Sequence, residues 1–212
     1  MNTRSAKTLW MVEMAVLIAI LAVLALTGLG YISYGVVSIT ILHIPVIITS
    51  LLLGWKAGAV IGFAFGLTSM LLSTFRGASA ADLFFTPFGP HGLPVQSIIM
   101  CFVPRILLGI VPDRLAALLL HLFTKKDASG AKNVHKVPAY TIAALLSTVM
   151  HTFLVLFCMY LWFVPAMSFT DKLSAVFGVV IGVNGVLEAV AAAVIAPAVV
   201  IPVKAYLNTR AV

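Results

Sequence analysis

Four polar residues stand where an apolar setting makes them expensive. Arg105, His151, Asn184 and Glu188 each interrupt a long apolar run. At hydrocarbon depth such a group is costly unless a partner or a water-filled cavity receives it. Asn184 and Glu188 lie four residues apart in Gly178-Val179-Val180-Ile181-Gly182-Val183-Asn184-Gly185-Val186-Leu187-Glu188-Ala189, so a helix sets both on one face. Arginine's planar fork holds both oxygens of a carboxylate. Asn184 donates and accepts toward an amide or hydroxyl, and Glu188 accepts from hydroxyls. The chemistry on offer is recognition of a small hydrophilic molecule with an anionic end. The alternative use of the same residues is a buried Arg105–Glu188 pair that only fixes helix register.

Catalysis has little support. The chain has no G-x-S-x-G, no H-E-x-x-H and no carboxylate cluster. It also has no Walker A sequence, so uphill movement of a solute needs a partner or ion coupling. Cys101 and Cys158 are isolated in apolar runs, with no C-x-x-C and no His/Cys metal spacing. They read as small buried hydrophobes. No cofactor or metal is expected.

The elements that position the four residues are membrane helices. Of 212 residues, 62% are hydrophobic and 9% charged, against about a quarter charged in soluble domains. Mean hydropathy is +1.17. The expectation is an all-α polytopic membrane protein forming one membrane-embedded domain over residues 1–212. Six segments are read, at about 9–28, 43–54, 57–75, 97–123, 137–163 and 173–203. The first is spanning length and lacks a clear cleavage site, so it is kept as a helix. Segment four is read as broken at Pro104-Arg105 and at Pro112-Asp113-Arg114.

The net charge of +7 comes from residues in short connections and tails. That pattern fits topogenic charge rather than nucleic-acid binding. Arg4, Lys7, Lys56, the linker lysines Lys125, Lys126, Lys132 and Lys136, then Lys204 and Arg210 fall on one side of a six-span model. By the positive-inside rule both termini are cytoplasmic. Counted from the outer ends of their segments at about 1.5 Å per residue, Arg105 lies roughly 13 Å deep, Asn184 about 15 Å, His151 roughly 18 Å and Glu188 about 21 Å. Three helices thus bring the four to similar levels.

The connections add candidates. His43 opens segment two beside Pro45, as a packing residue or a ligand contact. Residues 28–40, with the run Val36-Val37-Ser38-Ile39-Thr40, suit a short extended cover over a site. The long connection 76–96 carries Thr86-Pro87-Phe88-Gly89-Pro90, whose aromatic and proline content favours an ordered lid. Tyr31, Tyr34, Phe85, Phe88, Tyr160 and Trp162 fall near the outer boundary, as interfacial belt residues or as stacking surfaces. Ala15, Ala19 and Ala22 put small side chains on one face of segment one, for packing within the bundle or for docking a separate protein. Gly58, Gly62 and Gly66 have the fourfold spacing of close helix contact.

Taken together, these strings resemble a family: the substrate-binding S components of energy-coupling factor (ECF) vitamin transporters. The resemblance covers nearly the whole chain. It rests on Ala15-x-x-x-Ala19, Ser38-Ile39-Thr40-Ile41-Leu42-His43-Ile44-Pro45, Gly54-x-Lys56-Ala57-Gly58 with Gly62-x-x-x-Gly66-Leu67-Thr68-Ser69, and Asn184-Gly185-x-x-Glu188. It implies a high-affinity binding subunit in the bacterial cell membrane. Its partners would be a membrane-embedded coupling protein (the T component) and two ATPase subunits that drive import. Ala15, Ala19 and Ala22 would dock the coupling protein. Arg105, His151, Asn184, Glu188 and His43 would contact the vitamin, with Tyr34 and Phe88 in the loops that cover it. The Ile-Thr-Ile-x-His-Ile-Pro pattern is similar to the pantothenate-type members, and pantothenate has the carboxylate, amide and hydroxyls that these groups match. Pyridoxine, the hydroxymethylpyrimidine precursor of thiamine, folate and queuosine precursors are the other candidates of this class. An autonomous ion-coupled carrier and a ligand-free membrane scaffold are the readings outside it.

Overall fold

The computed structural model describes residues 3–27, 29–34, 37–76, 84–89, 93–126, 132–163 and 185–210. Six helices appear among them: α1 (Thr3–Thr27), α2 (His43–Leu53), α3 (Trp55–Phe75), α4 (Pro94–Leu122), α5 (Lys136–Phe163) and α6 (Val186–Arg210). Five are long and apolar enough to cross a membrane. The sixth, α2, has 11 residues, about 16 Å of helix against a hydrocarbon core of about 30 Å. Most of the segment-six reading before Val186, Asn184 included, lies outside the described residues.

The short helix is the centre of the bundle. His43, Ile44, Pro45, Val46, Ile47, Thr49, Ser50 and Leu51 are all buried, on every side of α2, and all five other helices pack against it. A helix apolar all round is stable only when surrounded. The long helices instead bury one stripe each. In α1, Met14, Leu21 and Ala25 are buried and Leu17 and Leu24 pack on the core, a three-and-four spacing that fills one face. Trp10, Val12, Val16, Ile20 and Val23 remain exposed. In lipid, such faces are solvated rather than stranded.

The tightest helix pair is α3 with α4. A Cβ on Gly58 would fall on the Gly109 carbonyl, and one on Gly109 on the Gly58 carbonyl. A Cβ on Gly62 would strike the Arg105 carbonyl, and one on Gly66 the Cys101 carbonyl. Three glycines a turn apart thus track three turns of an antiparallel neighbour, as their spacing predicts.

The prolines do not break α4, contrary to the expectation. Proline removes the amide that would bond the carbonyl four residues earlier. For Pro104 that carbonyl is Met100, and Arg105 Nη1 donates to it at 2.6 Å. Beside Pro112, the Asp113 N–H donates to Ser50 Oγ at 3.2 Å. At Pro104 a side-chain donor thus takes the place of the lost ladder bond, and beside Pro112 the backbone bonds a side chain of α2.

Two short hairpins join the helices, so the chain is helical with small extended pieces. β1 (Tyr31–Tyr34) pairs antiparallel with β2 (Val37–Thr40), where the β-branched run suggests an extended cover. β3 (Thr124–Lys126) pairs with β4 (Lys132–Val134) inside the basic connection, where the sequence suggests only a linker.

The bundle has two distinct ends. At one, Gly54 adopts φ +89° to turn α2 into α3, and Asp113 Oδ2 accepts the Trp55 N–H at 3.1 Å. Lys56 and Arg114 flank the Trp55 ring, and Lys204 lies over Tyr140. At the other end sit the β1–β2 hairpin and the connection before α4.

Candidate functional site

Arg105 is the residue around which the site is built. Its backbone is held by the Gly62 contact on α3, and its side chain turns inward, only 6% exposed. The guanidinium lies 5.5 Å from the centroid of Phe65 and 4.9 Å from that of Phe85. A cation between two rings, out of water, gains on the order of 2 kcal/mol from such contact. Phe65 is one turn from Gly62, so the stripe that brings the backbones together also supplies the ring beneath the cation.

The second aromatic comes from the connection before α4. Phe85 belongs to the described piece Phe84–Gly89, fastened on both sides. Thr86 is buried, and its hydroxyl pairs with Thr74 Oγ1 of α3 at 2.9 Å. Cys101 Sγ of α4 donates to the Phe85 carbonyl at 3.2 Å. The Phe88 N–H and the Gly89 N–H close the turn on Thr86. These bonds fasten the described turn to α3 and α4, with Phe85 directed to the arginine. Phe88 stands 85% exposed, away from the cation.

His151 arrives from α5. It is 7% exposed, with its ring 6.1 Å from Phe65, so Phe65 has both Arg105 and His151 as neighbours. His151 Nε2 and the hydroxyl of Ser147, one turn earlier, are buried without a hydrogen-bond partner among the described residues.

The third corner joins the hairpin to α6. Thr40, last residue of β2, donates its N–H to Glu188 Oε1 at 2.6 Å. His43 Nδ1 meets the Thr40 carbonyl at 2.6 Å and His43 Nε2 meets the Glu188 carbonyl at 3.2 Å. A glutamate counted as deep in segment six therefore touches the base of the β1–β2 hairpin. The two agree because only Ile41 and Leu42 separate β2 from α2, and Leu42 is fully buried. The hairpin's base is sunk into the bundle. Tyr34 lies at the far end of β1, paired with Val37.

A cation against two aromatic rings, two histidines and a carboxylate are gathered at one end of an apolar bundle, groups that together can bond a small polar molecule with an anionic end. Two comparisons fit that geometry. Residues 10–200 match the family model for the ECF transporter, substrate-specific component. The chain belongs to that family. It is a multi-pass protein of the bacterial plasma membrane. Over 166 residues, covering 76% of this chain and 75% of the relative, it is 32% identical to the pantothenic acid transporter PanT of Lactococcus lactis subsp. cremoris (strain MG1363).

In this ECF substrate-specific component, the charged and histidine candidates that are described lie near one another, and three of their neighbours are not legible by residue type. Arg105, His151, His43 and Glu188 are brought to one end of the bundle. Phe65 and Ser147 escape a reading by residue type, because a phenylalanine or serine in an apolar helix carries no signal of its own. Their register does carry one: Phe65 sits between Gly62 and Gly66, and Ser147 one turn before His151. Phe85 stands out in the sequence only as a boundary aromatic. On α1, Ala15 and Ala19 are exposed and Ala22 is half-buried.

Proposed function

We propose that this chain is the high-affinity pantothenate-binding subunit of an ECF importer. The observation that carries the reading is Arg105, buried in an apolar bundle between Phe65 and Phe85. A guanidinium in that setting suits a ligand with one carboxylate. The likeness to a pantothenic acid transporter supports the choice of vitamin.

In this reading Arg105 takes the carboxylate. His151, His43, Asn184 and Glu188 bind the amide and hydroxyls, and Tyr34 and Phe88 belong to the loops that cover the bound molecule. The chain is one membrane-embedded domain over residues 1–212. Its six spans include the short α2, and both termini are cytoplasmic. Support for that orientation comes from Lys56, Arg114 and Lys204 at the end of the bundle opposite the site. The chain binds and delivers its ligand without transforming it. Energy comes from two ATPase subunits through a membrane-embedded coupling protein, which docks on the Ala15, Ala19 and Ala22 face of α1.

The test is uptake of labelled pantothenate by bacteria that cannot otherwise import it. The expected result is uptake only when the chain is expressed with a coupling protein and its ATPases. Excess unlabelled pantothenate should abolish it, while pyridoxine and folate leave it unchanged. Ion-dependent uptake by the chain alone would contradict the proposal.

A further inference from the structure

Ser147 is 0% exposed and His151 7% exposed, and they stand one turn apart on the inward face of α5. Ser147 Oγ and His151 Nε2 have no hydrogen-bond partner among the described residues. A buried serine has an easy local exit, since its hydroxyl can bond the backbone carbonyl one turn back. The next residue takes it: Thr148 Oγ1 donates to the Ala144 carbonyl at 3.0 Å. Ser147 does not. Leaving such groups unmatched is costly, and two of them side by side define a place rather than a lapse in packing.

The place has a position and a chemical preference. His151 lies against Phe65 at 6.1 Å, and Arg105 lies against the same ring at 5.5 Å. A ligand whose carboxylate meets Arg105 therefore extends past Phe65 toward α5. A hydroxyl both donates and accepts, and so do a serine hydroxyl and a neutral imidazole taken together. We propose that Ser147 and His151 form a hydroxyl-recognising subsite, with Ser147 setting specificity for a hydroxylated acyl group at the end of the ligand remote from its carboxylate. This rests on the pantothenate reading above and adds to it a residue and an orientation of the ligand.

The test is calorimetric titration of the full chain in detergent. The ligands are pantothenate and two analogues, each with one of its two hydroxyls replaced by hydrogen. Ser147→Ala removes one oxygen and favours helix, so the fold is expected to hold, which an unchanged melting curve verifies. Ser147→Ala should weaken pantothenate about fivefold, yet leave affinity for one of the two deoxy analogues unchanged, because the matching hydroxyl is already gone. His151→Gln should show the same selectivity. Equal weakening of all three ligands by Ser147→Ala would overturn the subsite, as would no weakening at all. Silence of the wild-type chain toward pantothenate would instead overturn the vitamin reading, whatever the variants do.

Discussion

Arg105 serves the helix and the site at once. Its Nη1 donates to the Met100 carbonyl that Pro104 leaves without an amide, while the guanidinium lies between Phe65 and Phe85. Lysine keeps the charge but lacks the planar fork that bonds in two directions and stacks on rings. Arg105→Lys is therefore expected to fold and to bind pantothenate about a hundredfold more weakly, as measured by titration. Arg105→Met should bind none. At this scale the sequence is legible wherever a residue type is out of place. Arg105, His151 and Glu188 announce themselves by interrupting apolar runs. Phe65, Phe85 and Ser147 do not, because only their neighbours in space give them a role. Pro104 and Pro112 mislead for the same reason: the side chains that bond the backbone beside them, Arg105 as donor and Ser50 as acceptor, have roles that the local sequence does not reveal.

The α3–α4 contact is the element that places the arginine. Gly62 lets the Arg105 backbone approach α3, and nothing larger fits without moving the helix. Gly62→Leu overpacks this seam and should lower the unfolding midpoint in detergent by roughly 3–10 °C, with loss of binding. Val60→Leu, on the exposed side of the same helix, should change neither. The glycine repeat makes this seam readable, because close packing needs one residue type at one period. The β1–β2 hairpin is readable as an extended cover from its β-branched run. Its attachment is not, since the Thr40–Glu188 bond joins residues far apart in the chain and leaves no local trace. The β3–β4 hairpin sits among lysines that give it no strand signal.

At the scale of the whole molecule, the bundle is polar along its axis, with the cation site and hairpin at one end and the Trp55 and Tyr140 clusters with their basic neighbours at the other. The placement of lysines and arginines along the sequence is enough to reveal that polarity. The shortness of α2 is legible too, since the run is read as 43–54 and the helix is His43–Leu53; its central burial is not, because an apolar run reports hydrophobicity and not whether lipid or protein surrounds it. On α1, Ala15 and Ala19 face outward from a helix whose buried stripe runs through Met14 and Leu21. Filling that face with Ala15→Trp and Ala19→Trp should leave ligand affinity unchanged and abolish uptake that depends on the coupling protein. Loss of affinity in the double variant would place the alanines in the fold rather than at a docking surface.

The central claim is that this chain alone, without nucleotide or partner, captures pantothenate. Titration of the purified protein with pantothenate tests it most directly. Tight one-to-one binding is expected, indifferent to ATP and lost in Arg105→Met. Heat-silent titration of folded protein, or equal binding by Arg105→Met, would contradict it.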